Sequence, residues 1–366
     1  MGCRDSVFSG KQLNCKIERA MKCSNKIIKT VFLAASLLLM ACGEDTFQDG
    51  EDKAPAFIRV STAPMTLVGE QVPYADTRAD QSLPPEYENS IYSLTVLVFD
   101  VKEGVLGKFP VKDGQQKLYK YINLKDANGN GLLNTTLPTA DFPVVEGEEY
   151  TVCLIANLTE EQVETMIASM LDDGTVFFDE FKKYSIQIPY VVTPGQGDDV
   201  GLEAGHVRDI YMFGYYQGEV SSHKDITISL GRIISRLEIA FSFDESKIKP
   251  GKSLYILLEN LELKANLFPT GISPGEYVKQ SAYEVPTLDE LQNSTIYLYA
   301  APNSALTEDK ALCLKMWYAD KGLSSEGVEQ MKPNATVQLC NDQPGVENRN
   351  YQLNRNSVYH FNLHLK

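Results

Sequence analysis

The chain lacks an excess of positive charge. Its 366 residues hold 34 Lys and Arg against 49 Asp and Glu, a formal charge of −15. A nucleic-acid binder needs a basic face to meet phosphate, so nucleic acid is excluded as a partner. Histidine is scarce, with only His206, His223, His360 and His364. His360 and His364 are an even number of residues apart on a strand-like run and share a face. Without a third ligand beside them, a solvated or interfacial place suits them better than a metal. No Cys-x-x-Cys occurs among the seven cysteines, so a zinc ribbon or a dithiol redox pair has no basis. Neither a phosphate loop nor a His-Glu-x-x-His spacing is present. Paired carboxylates are so common here that any one pair says little. The sequence thus offers no catalytic residues, no metal ligands and no cofactor site, and an enzyme is not expected.

Long apolar runs are missing as well. The greasiest run, residues 31–40, is ten residues long. A membrane-spanning helix needs roughly 20. Lys22, Lys26 and Lys29 precede it and Leu39-Met40-Ala41-Cys42 closes it. A basic start, a short apolar middle and a small residue before the cut describe a secretory signal. The closing tetrapeptide resembles the lipobox of bacterial lipoproteins, in which the cysteine takes a diacylglycerol and becomes the new N-terminus. Cys42 is therefore the expected lipidation site, and the outer membrane, reached through that lipid, the expected tether. Met21 is an alternative start to Met1. Glu44, Asp45, Asp49, Glu51 and Asp52 follow as a solvated leash over residues 42–53. The stretch looks like the acidic signal that sends some Bacteroidales lipoproteins to the cell surface. Residues 1–41 carry seven basic and two acidic side chains, so the body beyond them is more negative still, near −20.

What is abundant is β-forming sequence. There are 19 Tyr to one Trp, and Val, Ile, Thr and Tyr recur in short runs. Residues 54–62 alternate, with Ala56, Ile58, Val60 and Thr62 on one face. A polar stretch holding Pro84-Pro85, residues 69–88, reads as an exposed loop. Residues 91–100 are nearly all apolar and read as a strand buried on both faces. Further strands are expected near residues 117–124, 131–138 and 148–157. The last runs into a helix, marked by Thr159 with Gln162 three residues on. Its stripe is Val163, Met166, Ile167, Met170 and Leu171. Strand-like runs continue to the end. Cys153 and Cys313 lie in such runs and read as buried thiols. The segment Asp126-Ala127-Asn128-Gly129-Asn130-Gly131 opens like a calcium loop, but its twelfth position is Leu137, so a turn is the better reading.

These features come in an order that resembles the FimA-like fimbrillins, the type V pilins of Bacteroidales. A lipobox leads to a strand with Ala56-Phe57-Ile58-Arg59-Val60, then to a loop with Thr77-Arg78-Ala79. After these come residues 91–100, residues 148–157 leading into a helix, Arg232 and Arg236 in residues 230–241, and residues 351–365. The resemblance implies an all-β fold with one short helix, in two tandem transthyretin-like antiparallel β-sandwich domains. Their expected bounds are residues 54–224 and 225–366. It implies a surface lipoprotein of a fimbrium whose first strand, with Ala56, Ile58 and Val60, is removed. An arginine-specific protease would cut between Arg78 and Ala79, discarding residues 54–78. Arg59 is a poorer target because it lies within the strand. Another fimbrial subunit would then fill the opened groove with a donor strand, and a ligand on a host or bacterial surface is a further implied partner. The family's stalk subunits carry an extension after the motif matched here by residues 354–366. This chain stops at Lys366, which suits a tip, accessory or anchor subunit. The alternative is a surface lipoprotein of the same fold that binds glycan or host protein without polymerising.

Overall fold

A computed structural model describes residues 58–65, 68–70, 86–111, 114–127, 129–138, 142–188, 210–221, 224–243, 249–269, 275–285, 295–303, 307–339 and 351–365. In chain order the first strands are β1 (Ile58–Pro64), β2 (Val68–Glu70), β3 (Ser93–Asp100), β4 (Lys120–Asn123), β5 (Thr135–Pro138), β6 (Glu148–Ala156), β7 (Met212–Val220) and β8 (Lys224–Arg232). All but β2 join one sheet, in the order β4-β3-β6-β7-β8-β1-β5.

That sheet turns back on itself. Strands β7 and β8 pair only at Met212 with Arg232 and Phe213 with Gly231. Next along β7, a side chain on Gly214 would place its Cβ 2.3 Å from the Ser229 carbonyl oxygen, so glycine permits the close crossing. Beyond it β8 runs on with β1 as the opposite layer. The first core fills the space between, with Leu94, Val96, Val98, Val152 and Leu154 on one side and Val60, Leu137, Ile226 and Ile228 on the other. Strand β3 alternates between this core and a second one on its outer face, which takes Leu97 and Phe99. The nearly continuous apolar run is thereby explained.

The outer core is closed by helix α1 (Glu160–Met170). Thr159 Oγ1 accepts from the Gln162 N–H at 3.2 Å, and Gln162 Oε1 accepts from the Thr159 N–H at 2.8 Å. This reciprocal cap fixes the helix start. Val163, Met166, Ile167 and Met170 are buried, whereas Leu171 ends the helix exposed, so the stripe is one residue shorter than expected. Two further short helices, α2 (Phe178–Lys183) and α3 (Ser325–Glu329), go beyond the single helix expected. Among the described residues the architecture is otherwise all-β.

The second sandwich comprises β9 (Ser235–Phe243), β10 (Lys252–Glu259), β11 (Tyr283–Val285), β12 (Thr295–Ala300), β13 (Cys313–Asp320), β14 (Ala335–Gln338) and β15 (Ser357–Leu365). One layer is β12-β9-β15-β2, the other β11-β10-β13-β14. Leu237, Ile239, Leu298 and Tyr359 of the first meet Leu254, Ile256, Leu314 and Met316 of the second. Two cores in succession give two β-sandwiches. They share packing, since Ile233, Ile234, Ala265, Leu267 and Tyr299 belong to the outer core of the first. A ladder of Ser185–Gln187 with Lys264–Asn266 also links them. The boundary expected at residues 224/225 coincides with the start of β8, whose nine residues pair within the first sandwich. We propose the divide at Ile233 and Ile234.

Three ladders depart from a purely antiparallel plan. Strand β1 runs parallel to β8 over seven residue pairs. Strand β15 runs parallel to β9 over eight pairs, and to β2 over three. In each case the paired strands come from distant parts of the chain rather than from a hairpin, so their relative direction is not constrained by a turn.

Candidate functional site: the seat of the N-terminal strand

Strand β1 is an interior strand, with β8 on one side and β5 on the other. Val60 is fully buried in the first core, and its cross-strand partners are Ile226 and Leu137. Thr62, 3% exposed, donates its hydroxyl to the Ile228 carbonyl at 2.6 Å. Arg59 faces solvent, 3.8 Å from Asp225, a pairing worth little in water. The strand is thus held by an apolar inward face and by two backbone ladders.

Past Pro64 the chain crosses from one sandwich to the other. The Met65 N–H donates to the Leu230 carbonyl at 2.8 Å, and three residues later β2 begins beside β15. The stretch from β1 through β2 therefore straps the two sandwiches together. Nothing in the spacing marked β2, a three-residue strand at the start of the polar stretch.

Beneath the crossing lies a buried charge network. Arg232, 1% exposed, ends β8 and donates in four directions. Nε goes to the Glu88 carbonyl at 3.1 Å, Nη1 to the Met65 carbonyl at 2.9 Å and to Asn356 Oδ1 at 3.0 Å, and Nη2 to Asn89 Oδ1. Arg236 sits next to it on β9. Its Nη1 lies 3.1 and 3.0 Å from the two Glu88 carboxylate oxygens, and its Nη2 2.7 Å from Glu238 Oε1. The Tyr299 hydroxyl donates to Glu88 as well, and His360 Nδ1 lies 2.8 Å from Glu238 Oε2. Burial lowers the Arg232 pKa, with the neighbouring Arg236 charge adding to it and Glu88 opposing. Burial pushes the Glu238 carboxyl up, but His360 and Arg236 outweigh it and hold it below the usual carboxylate range. The network consists of ion pairs and hydrogen bonds that tie β8, β9 and residues 88–89 together, an arrangement that positions backbone.

Glu88 was expected in an exposed loop; it is fully buried at the centre of this network. Arg232 and Arg236 inside an apolar run were the available signal. Two cations in successive strands that pack a core require buried partners. The partners themselves are set by folding across more than 120 residues and could not be read from spacing.

Among the other expected site residues, Ile58 opens β1, its backbone opposite Lys224. Cys42, Ala56, Arg78 and Ala79 lie outside the described residues. The segment starting at Asp126 is a turn in which Asp126 Oδ1 accepts from the Asn130 N–H at 2.8 Å and Leu137 is committed to the core. Cys153 and Cys313 are buried free thiols. One pentapeptide, Gly271-Ile272-Ser273-Pro274-Gly275, matches Gly-x-Ser-x-Gly; its first four residues lie outside the described residues.

The fold defined by these two strapped sandwiches is found in fimbrial and cell-adhesion proteins of Bacteroidales. The tip fimbrial protein Mfa3 of Porphyromonas gingivalis, solved with its C-terminus truncated, superposes with a TM-score of 0.51 at 11% identity, over 84% of this chain and 94% of that one. A Parabacteroides distasonis protein assigned to cell adhesion gives a TM-score of 0.52 at 15% identity, over 84% and 89%. No protein-family model and no curated protein matches the sequence.

Proposed function

We propose that this chain is a subunit of a cell-surface fimbria, and that the seat of β1 is where it joins its neighbour. The observation that carries the reading is the position of β1. It is paired on both sides, it contributes Val60 to the core, and it precedes the stretch containing Arg78. Cleavage after Arg78 detaches the strap from the rest of the chain. Once the strap leaves, β8 and β5 expose unpaired backbone groups and an apolar slot. Such an edge is a liability until another strand fills it. A donor strand from a neighbouring subunit restores both ladders by strand addition.

Export as a lipoprotein through Cys42 brings the subunit to the outer membrane surface, and cleavage after Arg78 frees it from that lipid. The tip role named for Mfa3 is extended to this chain as part of the proposal, with adhesion as the purpose of a subunit so placed. The network below the strap supports a structural and not an enzymatic role.

The decisive experiment is mass spectrometry of the mature N-terminus on cells, with and without an inhibitor of arginine-specific proteases. A start at Ala79 that reverts to lipidated Cys42 under inhibitor is the expected result. A start at lipidated Cys42 under both conditions overturns strand removal and leaves a permanently tethered anchor or ligand-binding lipoprotein.

A further inference from the structure

We propose that Arg232 sets the register of whatever strand occupies the seat, by reading one backbone carbonyl where the occupant crosses between the sandwiches. The inference rests on the strand-exchange reading above and adds to it a rule for the partner.

Three of the four contacts made by the Arg232 guanidinium come from the body of the protein: the Glu88 carbonyl, Asn89 Oδ1 and Asn356 Oδ1. These stay in place when the strap departs. The fourth, the Met65 carbonyl, is the strap's own. The head is therefore oriented in advance, with one charged donor aimed at the path of the incoming chain. A buried N–H of a guanidinium left without an acceptor carries a penalty larger than that of a neutral donor. Backbone pairing in β1 is indifferent to sequence, and a slip by one residue would swap its inward and outward faces. A carbonyl read at a fixed point removes that freedom.

The surroundings add to the rule. Gly231, beside the crossing, has room for the strap because a Cβ there would lie 3.2 Å from the Met65 sulfur. The Thr62 site demands a hydroxyl or a small residue, since it is buried against the Ile228 carbonyl. The occupant that fits is an extended strand with an apolar residue at the Val60 position and a small or hydroxyl residue two further on. Its backbone carbonyl must fall three residues beyond that. A strand of another subunit with this spacing is seated; one with an extra residue between these points is rejected.

The test uses the full chain with a specific protease site placed within residues 71–80. The chain is then nicked, and its strap is exchanged for a fluorescent peptide of residues 54–78. Two altered peptides are compared with the parent. In one, the bond between Met65 and Thr66 is an alkene, without carbonyl or N–H; in the other it is an ester, which keeps the carbonyl. The expected result is at least tenfold weaker binding of the alkene peptide and near-parent binding of the ester. In Arg232→Met the alkene and parent peptides bind alike. Should that variant not fold, the comparison on the unmutated chain decides alone. Equal binding of alkene and parent to the unmutated chain overturns the inference and leaves strand exchange standing. A nicked chain that takes up no peptide overturns strand exchange itself, and the inference with it.

Discussion

Replacing Val60 with aspartate puts a carboxylate where no part of the side chain reaches water. The loss has two parts. Burying a valine contributes about 1.5–3 kcal/mol, and a polar group in its place, without a partner, costs roughly 2 kcal/mol or more. Together they come to about 4 kcal/mol at neutral pH, where a decade of equilibrium constant is about 1.4 kcal/mol. The effect should fall on β1 first, because Val60 stands between Ile226 and Leu137 on one side of the first core and anchors the strap there. Amide exchange in the seat, at residues 226–230 and 135–137, is therefore expected to accelerate about a thousandfold. The core of the second sandwich, around Leu254 and Met316, should change far less. Ser61→Asp, which sits in the same strand facing outward opposite Thr136, is the control and should leave exchange within about tenfold. Acceleration below tenfold in Val60→Asp refutes the view that the inward face of β1 holds the strap. Equal acceleration in both sandwiches refutes the idea that the seat opens as a local unit.

Three more outcomes follow from the same structure. Glu88→Gln leaves Arg236 buried beside Arg232 without its carboxylate and should cost about 3–5 kcal/mol in urea unfolding; a loss under 1 kcal/mol would show that water or another group already serves Arg236. Glu262 is 2% exposed, and burial, opposed by Tyr277, pushes its carboxyl from an ordinary 4.5 to about 7. The folded state then binds the proton more tightly than the unfolded one, so this group's stabilisation is full below about pH 4.5 and is lost as pH rises through about 7. The whole effect is at most about 3–4 kcal/mol, and Glu262→Gln should abolish that slope in unfolding midpoints measured between pH 4.5 and 8, whereas an unchanged slope assigns it to other groups. Thr159→Ala removes the side-chain cap of α1 and should lower stability by about 1 kcal/mol in chemical denaturation, with no loss of seat protection.

Local chemistry was legible from the start where one segment decides its own fate. The alternation around Val60, the continuous apolar run of β3, the capping pair Thr159 and Gln162 and the turn at Asp126 each follow from spacing and side-chain type, because their partners lie within a few residues or their burial is repeated along the element. What tertiary structure alone decided is long-range. That β1 lies parallel to β8 across 166 residues at Thr62 and Ile228, that β2 crosses to β15, and that Glu88 is drawn from a polar stretch to the centre of the charge network are all matters of register between distant strands. A strand's hydrogen-bonding groups are alike at every residue, so sequence marks which face is buried but not which neighbour buries it. Packing of the two sandwiches makes that choice, and in doing so brings Arg232 under the carbonyl of Met65.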